Sequence, residues 1–353
     1  MLPIPLFFVR AIRVIVRNVC EYIGSLRKDG ITLNIQDMES MNQQLIEHVG
    51  RVIVGKERTM ELVLTAIIAS GHVLLEDVPG TGKTMLAKSV AASLDCTFQR
   101  IQFTPDLLPS DLTGIHFYNQ KSGDFEFRPG PLFANLVLAD EINRATPRTQ
   151  SSLLECMEER QISIDGSTRQ LERPFIVIAT QNPIDNQGTF PLPEAQMDRF
   201  MMKIRMGYPS VEESIEILKR TAVSRSVHDL SSMISREQLL KAQEMYTSVT
   251  VNEDLMRYIV QLTEATRAHA ELSLGVSPRG AQALLRAAQA WAALHGRDYV
   301  VPDDIKVLAE PVLAHRLVFR NRVRQQEGLA EQIIQQILSQ TEVPTETLTT
   351  GGR

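Results

Sequence analysis

The chain has 353 residues, with 37 lysines plus arginines against 42 aspartates plus glutamates, a net charge of −5 and a pI near 5.9. That length accommodates two or three domains with a core that needs no disulfide or metal, and the acidic balance argues against a protein built to wrap nucleic acid. Cys20, Cys96 and Cys156 are too far apart for a metal-ligand spacing or a disulfide framework, which fits a reducing cytoplasm, and with no apolar run of about 18 residues no membrane-spanning helix is expected.

Residues 1–37 stand apart in composition. Residues 2–19 are apolar except for Arg10, Arg13, Arg17 and Asn18, and no acid precedes Glu21. A secretory signal carries its charge ahead of the apolar stretch, whereas here the charge lies within and after it. A transit peptide poor in serine, or translation starting at Met38 or Met41, are the other readings. The segment is treated as an N-terminal extension without assigned function.

From Met41 onward the pattern is globular. Helical spacing at Leu45, Ile46 and Val49 leads into V-I-V-G-K-E (residues 52–57), and a second helix is expected over residues 58–69. Short apolar runs follow at residues 73–75, 97–101, 136–139, 175–179 and 200–206, each of the length of a buried parallel strand. Helical stretches separate them, so the expected architecture is an α/β core with a five-stranded parallel sheet and helices on both faces. After Pro209 the strand signals stop, and residues 211–220, 236–246, 252–270, 278–294 and 302–309 read as helices. The expected division is an α/β core over residues 38–209, an all-α region over 210–340 and a polar, disordered tail over 341–353.

The first strand runs into Glu76-Asp77-Val78-Pro79-Gly80-Thr81-Gly82-Lys83-Thr84 and then a helix, the setting of a phosphate-binding loop. The expected binding residues are Pro79, Gly80, Thr81, Gly82, Lys83, Thr84 and Met85. Gly80 and Gly82 allow backbone N–H groups to curl around phosphate oxygens at a helix N-terminus. Lys83 would reach the β- and γ-phosphates of ATP, and the Thr84 hydroxyl would ligate Mg²⁺. Asp77 stands where the motif has glycine. Two acids, Asp140 and Glu141, end the apolar run 136–139; the first can hold the Mg²⁺ shell, the second can polarise an attacking water. Asn182 in Gln181-Asn182-Pro183 follows the next strand and offers an amide to that water or to the γ-phosphate.

On these residues the chain resembles the MoxR-type AAA+ ATPases from about residue 41 to residue 320. The resemblance rests on R-I-Q-F-T-P-D-L-L-P-S-D-L-T-G (residues 100–114), D-E-I-N-R-A (140–145), A-T-Q-N-P (179–183), L-P-E-A-Q-M-D-R-F (192–200) and P-V-L-A-H-R-L (311–317). It implies a P-loop AAA+ core followed by an all-α lid, with Asn182 as sensor 1 and Ile53, Val54 and Gly55 near the adenine. It further implies Arg199, at the far edge of the sheet from the Lys83 loop, as a finger entering the neighbouring subunit's ATP site, and Arg279 as sensor 2. Lys56, where glutamine is usual, and Cys156, where a small residue is usual, depart from the family pattern. Independently, Ser277 suits an N-cap and Pro278 the first helical turn, so Arg279 sits at a positive helix end, where a nearby anion would favour it. Arg144 and Arg148 are candidates for a subunit interface without an assigned role. Hairpin-like stretches at residues 117–127 and 161–171 would face a ring's central channel. The resemblance implies a homo-oligomeric, hexameric ring that remodels client proteins with a separate partner carrying a von Willebrand factor A domain. The alternatives are a nucleic-acid motor or transcriptional activator, and a nucleotide-gated scaffold with little turnover.

Overall fold

The computed structural model describes residues 33–78, 80–182, 188–221, 230–321 and 328–344. The apolar, arginine-bearing stretch at residues 2–19 and the tail beyond residue 344 lie outside the described residues. All five expected apolar runs form strands: β1 (Val73–Glu76), β2 (Phe98–Gln102), β3 (Leu136–Asp140), β4 (Ile176–Gln181) and β5 (Met202–Ile204). They make one sheet in the order β5-β1-β4-β3-β2, with every neighbouring pair parallel. β1 and β3 are buried along their whole length and β4 through Thr180, as continuous apolar strands between two helical layers must be. Parallel strands end at one edge, so Asp77, Gln102, Asp140, Gln181 and Asn182 are gathered there by topology alone.

The helices of ten residues or more among the described residues are α1 (Ile35–Gly50), α2 (Glu57–Ile68), α3 (Lys83–Ser93), α4 (Pro147–Glu159), α5 (Val211–Thr221), α6 (Arg236–Met245), α7 (Glu253–Ala268), α8 (Pro278–Leu294), α9 (Pro302–Leu313) and α10 (Leu329–Gln340). α1 starts before Met38: the Asn34 side chain accepts from the Asp37 amide at 2.9 Å, and the Asp37 carboxylate accepts from the Asn34 amide at 2.7 Å. Met38, fully buried, lies in the first turns of this helix rather than at its start. α9 continues through Pro311, past the residue-309 end expected from the sequence, and α10 had no sequence expectation.

The region after residue 209 is helical but includes two short ladders. Leu272–Leu274 pairs antiparallel with Val318–Phe319, and Ile234–Ser235 runs parallel beside Leu94–Asp95. Both expected hairpins form, Gly114–Asn119 with Asp124–Pro129 and Gln161–Ile164 with Ser167–Gln170.

The sheet's two faces build two cores. Leu74, Val137, Ala139, Val177 and Ala179 pack with Leu153, Leu154 and Met157 of α4. The alternate residues Val73, Leu75, Leu136, Leu138, Ile176 and Ile178 join a larger core made with α1, α2 and α3. Tyr258, Leu284, Trp291 and Leu308 of the later helices belong to that same core.

Candidate nucleotide site

The loop after β1 is fixed from behind by Asp77. Its carboxylate accepts from the Val78 amide at 2.8 Å and from the Gly207 amide at 2.6 Å, which ties the loop to the chain leaving β5. Asp77 has no left-handed backbone, so the usual glycine is not required there, and the side chain anchors the loop as glycine could not. Gly80 and Gly82 do need to be glycine: their φ values are +85° and +90°, a region that L side chains rarely adopt. Gly82 caps α3, which begins at Lys83. Thr81 Oγ1 donates to the Val78 carbonyl at 3.2 Å. Pro79 lies outside the described residues.

Lys83 Nζ donates to the carbonyls of Asp77 and, at 3.0 Å, Gln181. Burial lowers its pKa, against the pull of Asp77, Asp140, Glu141 and Glu76. A half-buried ammonium held on two carbonyls at the loop's mouth is poised to exchange them for phosphate oxygens. Thr84 Oγ1 lies 3.3 and 3.2 Å from the two Asp140 carboxylate oxygens. A hydroxyl and a carboxylate facing one point is an oxygen donor set that fits a small hard divalent cation.

Asp140 is held on all sides. Thr180 Oγ1 donates to its Oδ1 at 2.6 Å, and Arg100 Nε and Nη2 donate to its Oδ2 at 3.1 and 2.6 Å. Burial would raise its pKa, but the Thr180 hydroxyl and the Arg100 guanidinium outweigh it and hold the carboxyl below its ordinary value. Glu141 follows with φ +57°, its amide donating to Thr180 Oγ1 at 2.8 Å. Its Oε2 accepts from Gln102 Nε2 at 2.9 Å and Arg144 Nη1 at 3.0 Å. Arg144, without a role from the sequence, thus steers this carboxylate. Arg148 lies elsewhere, lining a cavity between the two hairpins. Arg100, Gln102 and Thr180 were also missed as site residues. The signal available was Arg100 and Gln102 projecting from the strand's solvent-facing positions inside R-I-Q.

One open cavity of about 470 Å³ collects Gly80, Gly82, Lys83, Thr84, Met85, Asp140, Glu141 and Asn182. Ile53, Val54 and Gly55 do not line it. The next residue, Lys56, reaches the back of the loop: its Nζ donates to the Met206 carbonyl at 2.8 Å, next to the Gly207 amide on Asp77. At Gly55 the Glu213 side chain of α5 occupies the space a side chain would need.

Neither predicted arginine lies in that cavity. The sequence expectation that Arg199 lies at the sheet edge far from the loop does not hold: Arg199 precedes β5, the edge strand directly beside β1, so it is separated from Lys83 along the strand axis and not across the sheet. Arg279, in the first turn of α8, lies with it: both line a cavity of about 430 Å³ shared with Gly71 and His72, at the opposite end of β1 from the loop. Glu158 binds both, Arg199 Nε at 3.0 Å through Oε2 and Arg279 through Oε1. Ser277 does cap α8, accepting from the Gly280 amide at 3.3 Å. The anion met by Arg279 within this chain is Glu158, not a phosphate at its own loop.

Comparison with known proteins accords with this arrangement. Residues 72–202 match the ATPase family associated with various cellular activities (AAA), and residues 264–337 match the AAA lid domain. The chain is 49% identical over 311 residues to an uncharacterised protein, YeaC, of Bacillus subtilis, covering 88% of this chain and 97% of that one. It is 40% identical over 325 residues to Chaperone MoxR1 of Mycobacterium tuberculosis, covering 90% and 85%, and 34% identical to Protein MoxR of Paracoccus denitrificans, covering 80% and 90%. A crystal structure from Cytophaga hutchinsonii, described as an ATPase, superposes with a TM-score of 0.81 at 41% identity, covering 88% of this chain and 97% of its own. With a phosphate loop, an Asp-Glu pair and a buried asparagine on one sheet edge, and a helical lid behind, the chain belongs to the MoxR-type AAA+ ATPases and is an ATP hydrolase.

Proposed function

We propose that this ATPase works as a head-to-tail ring, hexameric in its closed form, whose ATP sites are completed by Arg199 and Arg279 of the neighbouring subunit, and that it spends turnover on remodelling client proteins. The observation that carries the reading is that both arginines lie at the end of β1 opposite the Lys83 loop, outside the cavity that loop opens into. A guanidinium there is out of reach of its own γ-phosphate, and repeated head-to-tail contacts close into rings.

In this reading Lys83 leaves its two carbonyls for the β- and γ-phosphates, and the amides of residues 80–84 follow the phosphate chain. Thr84 and Asp140 would hold Mg²⁺, which when bound neutralises phosphate charge. Glu141, turned by Gln102 and Arg144, takes the proton of the attacking water, and Asn182 orients that water. Ile53, Val54 and Gly55, outside the cavity that takes the phosphates, would lie toward the adenine. The name of the 40%-identical relative, Chaperone MoxR1, supports a protein client. The separate von Willebrand factor A domain partner and the cytoplasmic location belong to the same proposal.

Mixing two inactive variants tests the shared site. Lys83→Ala loses nucleotide binding, and Arg199→Ala binds ATP but turns it over roughly 10³- to 10⁵-fold more slowly, the effect of losing a finger in related NTPases. Mixed rings should recover activity, since intact loops then meet intact fingers. Mixed rings that form and stay inactive would refute the shared site.

A further inference from the structure

Arg199 and Arg279 reach their meeting point from different parts of the chain, one from the core just before β5, the other from α8. They meet on one carboxylate. Each Glu158 oxygen takes one guanidinium, Oε2 from Arg199 and Oε1 from Arg279. Arg199 uses Nε and Arg279 uses Nη2 in doing so, which leaves further guanidinium donors on each for another acceptor. The cavity they line also carries Arg160, Arg286 and Arg316, and its other acid is Asp198. Asp198 is already engaged, accepting from Arg316 Nε at 2.7 Å and Ser277 Oγ at 3.1 Å. Among the lining residues, Glu158 is therefore the carboxylate left to offset the repulsion between Arg199 and Arg279.

Glu158 is an exposed residue on a backbone turn that is tied down. It lies in the last turn of α4, next to Met157, whose carbonyl accepts from His72 Nε2 at 3.0 Å. The Val177 amide donates to His72 Nδ1 at 2.9 Å, which fixes the tautomer and ties this turn to β1 and β4. Two residues on, Arg160 Nη2 donates to the Ser70 carbonyl at 2.8 Å. The backbone beside Arg199 is fixed too, through Asp198 and its two partners from the helical region.

We propose that Glu158 is a positioning residue for the shared ATP site: its two oxygens hold Arg199 and Arg279 at a set spacing, so that they meet a neighbouring subunit's terminal phosphate as a pair. This rests on the reading that the two arginines act in trans. Without the carboxylate, two long like-charged side chains separate and regain rotamer freedom, and ordering them is deferred to the catalytic step. Because one partner comes from the core and the other from α8, the pair also reports how the helical region sits on the sheet.

The test is Glu158→Gln in the full chain, which keeps the shape and removes the charge. Nucleotide affinity should stay within about twofold of wild type, because the variant's own loop is untouched, while kcat falls roughly ten- to hundredfold, the scale of losing hydrogen bonds to charged groups. Mixing Glu158→Gln with Lys83→Ala should restore turnover, since the Lys83→Ala subunit presents an intact arginine pair. Arg199→Ala mixed with Lys83→Ala runs in parallel. If that parallel mixture recovers and the Glu158→Gln mixture does not, or if Glu158→Gln alone keeps wild-type kcat, the positioning role is wrong. If the parallel mixture also fails in rings that form, the trans reading falls and this proposal with it. Should Glu158→Gln lower the melting temperature sharply, Glu158→Asp, which keeps the charge but draws both oxygens back by one methylene, should show a smaller kcat loss that the same mixing repairs; a loss that mixing leaves in place overturns the role.

Discussion

Glu141 holds a left-handed backbone, φ +57°, that a residue with a side chain adopts only when its surroundings insist. They do so through the Thr180 hydroxyl, which accepts from the Glu141 amide and donates to Asp140. One hydroxyl thus fixes both acids, while Gln102 and Arg144 aim the second. Replacing Glu141 by Gln preserves these contacts in outline but removes the carboxylate proposed above as the base. ATP should still bind, and turnover should fall roughly 10²- to 10⁴-fold, the usual contribution of a general base. Equilibrium nucleotide titration beside steady-state phosphate release measures both, and wild-type turnover in this variant would move the base elsewhere. Of the thiols among the described residues, burial raises the pKa of Cys96 to about 11 and that of Cys156 to about 12, leaving both protonated at neutral pH.

At the scale of elements, α1 ties the chain's beginning to the helical region. Met38, Met41, Leu45 and Val49 are buried on one face, and Asn42 Nδ2 donates to the Leu294 carbonyl of α8 at 3.3 Å. Its reciprocal cap, Asn34 with Asp37, satisfies amides that a helix start otherwise leaves open. Asn34→Ala should cost about 1 kcal/mol, and a chain begun at Met38 should melt below one begun at Leu33, since it loses the cap and the first turn together. Equal melting temperatures for those two chains would show that the cap contributes nothing. The compositional break near residue 38 is real in the sequence, but the helix ignores it, because capping is set by Asn34 and Asp37 rather than by where apolar periodicity becomes obvious.

At the scale of the molecule, the packing among the described residues has no seam at residue 209. The larger core runs from one face of the sheet through α1 and α2 into α7, α8 and α9 without a break, and Arg316 bolts the two regions together. Its side chain is 3% exposed and donates to Asp198 Oδ1 at 2.7 Å and to the Phe200 carbonyl at 2.7 Å. Removing one partner of a buried pair leaves the other uncompensated, so Arg316→Met should destabilise the chain by about 3 kcal/mol. The wild-type chain should melt in one calorimetric transition, and two separate transitions would contradict the shared core. The same variant should also loosen Asp198, one residue from Arg199, and so lower turnover beyond what stability explains.

The sequence by itself determined whatever is local along the chain. Strand, glycine loop, Lys83 and helix are consecutive, and so are β3 with Asp140 and Glu141 and β4 with Asn182, so apolar runs ending in polar residues disclosed both the parallel sheet and its working edge. The hairpins were legible for the same reason, through alternation around Gly123 and Gly166. Only the tertiary structure decided what depends on register or docking. Arg100 and Gln102 lie about forty residues before the acids they serve and reach them because β2 pairs with β3. Asp77 replaces a motif glycine because an amide 130 residues later donates to its carboxylate. Arg199 and Arg279 share Glu158 because the first turns of α8 come beside the end of β1 away from the loop, and no spacing along the chain encodes which end of a sheet a later helix approaches.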